Sequence, residues 1–219
     1  LRWHRAGLEH RIRDILKSRQ IGATFYFSRE ALLHALKTGH NQIFLSASKT
    51  QAYVFREYII QFARRVDVEL TGDPIVIGNN GAKLIFLGTN SNTAQSHNGD
   101  LYVDEIFWIP NFQKLRKVSS GMASQSHLRS TYFSTPSTLA HGAYPFWSGE
   151  LFNRGRARVS ERVDIDISHD ALAAGVACPD GQWRQIVTIE DALAGGCTLF
   201  NLEQLRQENS VDDFRNLFM

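Results

Sequence analysis

Residues 11–65 set the strongest limit on the fold. The run Arg11-Ile12-Arg13-Asp14-Ile15-Leu16 alternates and then turns apolar, which predicts a strand, and a short polar loop from Lys17 to Gly22 follows. From Thr24 the period changes. Phe25, Phe27, Ala31, Leu32, Ala35 and Leu36 share one broad apolar face of a helix, and Gly39 ends it. Residues 42–47 predict a second strand. Residues 49–65 predict a second helix, with Ala52, Phe55, Ile59 and Phe62 inward at steps of three and four. Two strands separated by a full helix cannot close as a hairpin. This order is the signature of a parallel sheet with crossover helices, so the fold class is α/β, a mostly parallel β-sheet flanked by helices.

The rest of the chain extends this pattern. Residues 74–77 and 83–87 flank Gly78-Asn79-Asn80-Gly81 and predict a hairpin. A polar loop is expected over 89–99, a strand over 100–105 ending in two carboxylates, a helix over 113–122, and a strand over 128–133. Polar, glycine-rich sequence runs to about 158. Beyond it a strand is expected over 163–167 and helical segments near 190–194 and 202–208. Residues 1–149 hold 17 basic against 10 acidic side chains, whereas 150–219 hold 7 against 12. The near-neutral total of +2 therefore hides a basic body, which suits a polyanion partner, and an acidic end. We expect a core over 1–158 and a small acidic subdomain over 159–219.

Several classes are disfavoured. A hydrophobic content of 43% and a charged content of 21% are ordinary for a folded domain. No apolar run approaches a membrane span. Leu1-Arg2-Trp3-His4-Arg5 has neither initiator Met nor apolar signal core and is read as the interior of a longer protein. Cys178 and Cys197 are far apart, with no CxxC pair. The eight histidines show no HExxH or paired spacing, which argues against a zinc enzyme. No G-x-S-x-G elbow surrounds Ser18, Ser134 or Ser148. His97 reads as a solvated loop residue, and Asp164 with Asp166 as the solvated face of a strand. Arg154, Arg156 and Arg158 read as an exposed basic linker, and the four tryptophans as core or subdomain-interface residues.

Three segments carry chemistry. Lys17-Ser18-Arg19-Gln20-Ile21-Gly22-Ala23-Thr24 lies between a strand and a helix, where a phosphate-binding loop belongs. Such a loop needs backbone N–H groups at a helix N-terminus, a cation for the β- and γ-phosphates, and a hydroxyl for Mg²⁺. Against G-x-x-x-x-G-K-[ST], Gly22 and Thr24 match, Lys17 stands at the first glycine and Ala23 at the lysine. Lys17 can reach phosphates from the opposite side, and Arg19 adds a second cation. Leu101-Tyr102-Val103-Asp104-Glu105 has the Walker B form: Asp104 for the metal and Glu105 to polarise water. Ser134-Thr135-Pro136 follows the next strand, where the strand ends of a parallel sheet meet ligands.

These segments together resemble the large, ATPase subunit of tailed-bacteriophage DNA-packaging terminases. The loop from Lys17 to Thr24 resembles that family's variant Walker A, with a Ser-Arg-Gln-x-Gly core and the lysine at its start. Residues 101–105 resemble its Walker B, and Phe133-Ser134-Thr135-Pro136 its coupling motif. Tyr144-Pro145-Phe146-Trp147-Ser148-Gly149 resembles a recurring aromatic segment, and residues 183–192 the branch of enteric myovirus-like phages and prophages. The resemblance implies an ATP- and Mg²⁺-dependent P-loop motor that drives double-stranded DNA into a capsid. The implied partners are a portal protein, a small terminase subunit and further copies in a ring, in the cytoplasm of the bacterial host. It also implies that residues 17–24 bind ATP, that Thr24 and Asp104 hold the metal, that Glu105 and Arg19 are catalytic, and that Ser134 and Thr135 couple hydrolysis to movement. The adenine-contacting glutamine segment is expected upstream of Leu1. The nuclease cluster is expected beyond Met219, so no nuclease activity is expected within these residues. Two other readings remain open. One is a helicase-like DNA-dependent P-loop translocase. The other is a nucleotide-gated module that docks on portal or DNA without turnover.

Overall fold

The structure is a computed structural model that describes residues 1–89 and 96–218; the loop expected over 89–99 lies partly outside them. A helix, α1 (Arg2–Glu9), leads into β1 (Ile12–Lys17), α2 (Ala23–Thr38), β2 (Gln42–Leu45) and α3 (Lys49–Arg64). The hairpin β3 (Ile75–Val76) and β4 (Lys83–Leu87) follows, then β5 (Asp100–Asp104), α4 (Phe112–Met122) and β6 (Ser130–Ser134). Two one-turn helices, α5 (Tyr144–Trp147) and α6 (Glu150–Asn153), and α7 (His169–Leu172) precede β7 (Val176–Ala177) and β8 (Trp183–Val187). The chain then runs through α8 (Ile189–Ala194), α9 (Leu202–Glu208) and α10 (Val211–Phe218).

All eight strands form one sheet in the order β3-β4-β2-β5-β6-β1-β8-β7. The six central strands are parallel, and β3 and β7 pair antiparallel at the two edges. The α/β expectation therefore holds. Successive residues of each strand face opposite sides. Ile43 and Leu45 of β2 join a core with Val103, Tyr132 and Phe146, whereas Phe44 between them joins a core under α2 and α3. There Phe86, Phe44 and Tyr102 stack across three strands, with ring centroids 5.1 and 5.5 Å apart. Phe27 and Phe55 close the stack from the helices.

Two features differ from expectation. The strand expected over 163–167 does not form. Asn153 takes both backbone groups of Val163, accepting from its N–H at 2.9 Å and donating to its C=O at 2.8 Å. Ile165 and Ile167 still turn toward the core, so their alternation reflects one-sided packing rather than a ladder. Asp164 and Asp166 are exposed. Second, β7 and β8 lie beyond residue 158 but belong to the same sheet, with β8 parallel to β1 from Arg13↔Trp183 to Lys17↔Val187. The segment past 158 thus supplies one edge of the sheet before its closing helices.

Between β6 and β8, Asp14 is fully buried, and among the described residues neither of its carboxylate oxygens has a hydrogen-bond partner. Burial pushes the group up to about 7 against the pull of Arg184. In the unfolded chain it ionises near 3.8. From about pH 4 to 7 the folded chain holds a proton that the unfolded chain has lost. The stability it supplies is complete below that window and declines as pH rises through it. Asp14→Asn is expected to remove this decline and to stabilise the chain by about 1–3 kcal/mol at pH 8. Thermal unfolding of both proteins at pH 5 and pH 8 checks this; parallel pH profiles overturn it.

Candidate functional site

β1 delivers Lys17 to the C-terminal edge of the sheet, and the chain must turn there sharply to start α2. Gln20 and Gly22 make the turn with positive φ of 57° and 85°. Gly22 occupies the N-cap in the left-handed region, and no atom lies within 4 Å of where its Cβ would stand. The first turn of α2 therefore opens outward with N–H groups that no helical carbonyl can satisfy. The loop is anchored from behind. The Ser18 N–H donates to Val187 O at 2.7 Å, and the Arg19 N–H to Leu217 O at 3.0 Å.

β5 and β6 bring their ends to the same edge. Thr24 Oγ1 lies 3.4 Å from Asp104 Oδ2, while Asp104 Oδ1 is buried with no hydrogen-bond partner among the described residues. Glu105 leaves β5 with φ 55° and ψ 50°, an uncommon left-handed conformation for a glutamate. It turns the side chain back over the loop, where Oε1 accepts from Lys17 Nζ at 2.8 Å. The other oxygen, Oε2, accepts from the Thr135 N–H at 2.9 Å, Thr135 Oγ1 at 2.8 Å and Ser134 Oγ at 3.2 Å. Strain of this kind persists only where its surroundings hold it, and four donors hold this one.

The two adjacent carboxyls are driven apart electrostatically. Burial, and then the neighbouring Glu105 charge, push Asp104 up to about 7. Burial also pushes Glu105 up, but the Lys17 ammonium and the Thr135 bonds outweigh it and hold the group below the usual carboxylate range. Glu105 is thus an ionised acceptor beside a carboxyl that burial and the Glu105 charge push up to about 7.

These groups border a cleft of about 680 Å³ between the loop, α3 and the end of β5. Lys17, Arg19 to Thr24, Glu105 and Thr135 line it. Ser18, Asp104 and Ser134 stand behind that lining; the Ser18 hydroxyl is buried without a partner, and Ser134 Oγ accepts from the Phe107 N–H at 3.1 Å. Five lining residues were not predicted as site residues: Phe25, Gln51, Val54, Tyr58 and Trp108. Trp108 is 48% exposed, against the expected core or interface role. Its Nε1–H donates to Thr135 Oγ1 at 2.8 Å, and its ring lies 5.9 Å from the Arg19 guanidinium. Its place three residues after Glu105, in a one-turn 3₁₀ helix Ile106–Trp108, carries no sequence signal of its own. The expected linker arginines, Arg154 and Arg158, are exposed, and Arg156 packs on the Phe152 ring. None of them lines the cleft.

Comparison with known proteins gives consistent matches. A family model described as terminase large subunit, T4-like-virus type, N-terminal, matches residues 14–219. The chain is 88% identical over 219 residues to the terminase ATPase subunit of Escherichia phage P2, covering all of this chain and 37% of that protein. It is 51% identical over 217 residues to the probable terminase ATPase subunit of Haemophilus phage HP1, covering 98% and 35%. It thus spans about a third of the length of these curated relatives. Among solved structures, the large terminase of a thermophilic bacteriophage in complex with ADP superposes with a TM-score of 0.66 at 10% identity, covering 96% of this chain and 48% of that one.

Proposed function

This chain belongs to the terminase large-subunit family of T4-like-virus type, and from that premise we propose that it binds ATP with Mg²⁺, hydrolyses it, and couples the hydrolysis to movement of double-stranded DNA in phage genome packaging. The observation that carries the reading is the meeting of Lys17, Thr24, Asp104 and Glu105 at one sheet edge, around a cleft that begins at a helix N-terminus. The relatives' names and the ADP complex of the thermophilic phage terminase support it.

The geometry supports the following residue roles. Outward N–H groups from residues 20–24 cradle the β-phosphate. The Thr24 hydroxyl and the unpartnered Asp104 oxygen form an oxygen donor set that fits Mg²⁺. When bound, Mg²⁺ neutralises charge on the phosphates. Without nucleotide, Lys17 is held by Glu105. A γ-phosphate draws Lys17 away, and the freed carboxylate becomes a stronger acceptor for a proton of the attacking water. Arg19, across the cleft, stabilises charge on the transferring phosphoryl group. Glu105 Oε2 is also the acceptor for Ser134 and Thr135, so a shift of this carboxylate is felt at the end of β6. That is the coupling role assigned to this pair.

The basic excess over 1–149 supports contact with DNA phosphates. A ring of copies, a portal protein, a small terminase subunit and the host cytoplasm belong to the same reading. So does the reading of the acidic 159–219, whose β7 and β8 complete the sheet, as leading toward a nuclease domain.

Steady-state ATP hydrolysis, with and without double-stranded DNA, tests the reading. Turnover is expected to require Mg²⁺ and to fall at least about 100-fold in Lys17→Ala. Equal turnover in both proteins refutes the site. Binding of ATP without turnover, unchanged by DNA, favours the nucleotide-gated docking module instead.

A further inference from the structure

At the opposite edge of the sheet lies a cluster that the nucleotide reading does not use. His34 stands in the last two turns of α2, and His40 follows the Gly39 cap. Asp100, 1% exposed, opens β5. Nδ1 of His34 is 2.9 Å and Nδ1 of His40 is 3.5 Å from Asp100 Oδ2. The three donor atoms all lie within 4.8 Å of one another. Both contacts are close enough for charge pairing, but neither is a well-aligned hydrogen bond, and among the described residues neither Nδ1 atom has another partner. Two buried imidazole nitrogens thus converge on one carboxylate oxygen, a donor set that one cation satisfies.

We propose that His34, His40 and Asp100 form a binding site for one divalent transition-metal ion of the zinc class. Nitrogen donors select such an ion over Mg²⁺ or Ca²⁺. Ligand atoms about 2.1 Å from a tetrahedral ion stand about 3.4 Å apart, and the observed 2.9 and 3.5 Å straddle that spacing. The carboxylate is already held in place. Asp100 Oδ2 accepts from Gln42 Nε2 at 3.0 Å, and Oδ1 from the Arg129 N–H at 2.8 Å. Supporting bonds of this kind orient metal ligands. The His127 ring, exposed and 5.0 Å from that of His40, offers a further imidazole. Three protein ligands leave room for it or for water.

The site has a structural consequence. α2 begins at the phosphate loop and β5 ends at Asp104, so an ion here bolts together the far ends of the two elements that build the nucleotide edge. β5 separates the two sites by about 13 Å, at roughly 3.3 Å per residue.

The test uses Zn²⁺ itself on metal-stripped protein, with bound metal per chain measured after gel filtration and thermal unfolding recorded alongside. One equivalent of Zn²⁺ and a rise in Tm of several degrees are expected for the unmodified chain. Both are expected to vanish in His40→Ala, whose side chain is partly exposed and whose loss leaves the fold intact. Gln42→Leu, which frees the carboxylate without removing a ligand, is expected to weaken binding about 10–100-fold. Zn²⁺ bound by His34→Ala and His40→Ala to the extent and with the Tm shift of the unmodified chain overturns the proposal, as does an unmodified chain that retains no Zn²⁺.

Discussion

Glu105→Gln is expected to reduce ATP turnover about 10²–10⁴-fold while leaving ATP binding intact or slightly tighter. The amide is isosteric, and its oxygen can still accept from the Thr135 N–H and hydroxyl, so the left-handed turn after β5 keeps its supports. Two things are lost. The side chain no longer accepts a proton from water, and it no longer pairs with Lys17 at 2.8 Å. The second loss frees the ammonium for phosphate before nucleotide arrives, which is why affinity is not expected to fall. Titration with a fluorescent ATP analogue beside a phosphate-release assay separates the two effects. Joint loss of binding and turnover removes the general-base role and makes Glu105 a structural support of the loop; unchanged turnover removes it from the chemistry altogether.

The largest expected effect on stability lies elsewhere. Arg184 of β8 is fully buried. It forms a two-pronged pair with Asp180, itself 1% exposed, at 2.7 and 2.6 Å. It also donates to the carbonyls of Trp147 at 2.7 Å and Phe146 at 3.1 Å. Arg184→Met keeps much of the volume but strands a buried carboxylate and two carbonyls. It is expected to cost about 3–5 kcal/mol, a drop in Tm of roughly 10–15 °C for a chain of this size. Arg184→Met with Asp180→Leu is expected to recover part of that loss, because the uncompensated charge goes with its partner. Chemical denaturation of the two single variants and the double variant measures the coupling. A single-variant cost below about 1 kcal/mol means that water reaches Asp180.

How much was legible in the sequence follows from the range of the forces. The alternation over 11–65 predicts β1, α2, β2 and α3 because each is set by local period and by Gly39. The three chemical segments were legible for the same reason: each is one strand end and the residues after it. The Lys17–Glu105 pair was not, since it depends on a left-handed Glu105 and on strand order, neither of which leaves a local mark. β8 was hidden because Trp183-Arg184-Gln185-Ile186-Val187 is half polar, and its polar residues are satisfied within the protein rather than by solvent. Asn153 defeated the strand expected over 163–167 by a side-chain bond that no periodicity predicts. The histidine cluster was invisible as well. His34, His40 and Asp100 have no ligand-motif spacing, and only the parallel pairing of β2 with β5 brings them together.

The place of β1 bears on how the chain comes off the ribosome. Within residues 1–219 it precedes every other strand, yet both its neighbours come late, β6 from Ser130 and β8 from Trp183. Until those residues emerge, β1 carries two unpaired edges and an apolar face. Pairings this distant along the chain are slow to form and leave strands open to wrong partners meanwhile. A truncation that stops short of β8 leaves β1, which ends in Lys17, as a permanent sheet edge, so soluble expression of shortened forms should fail sharply once the cut passes upstream of residue 183.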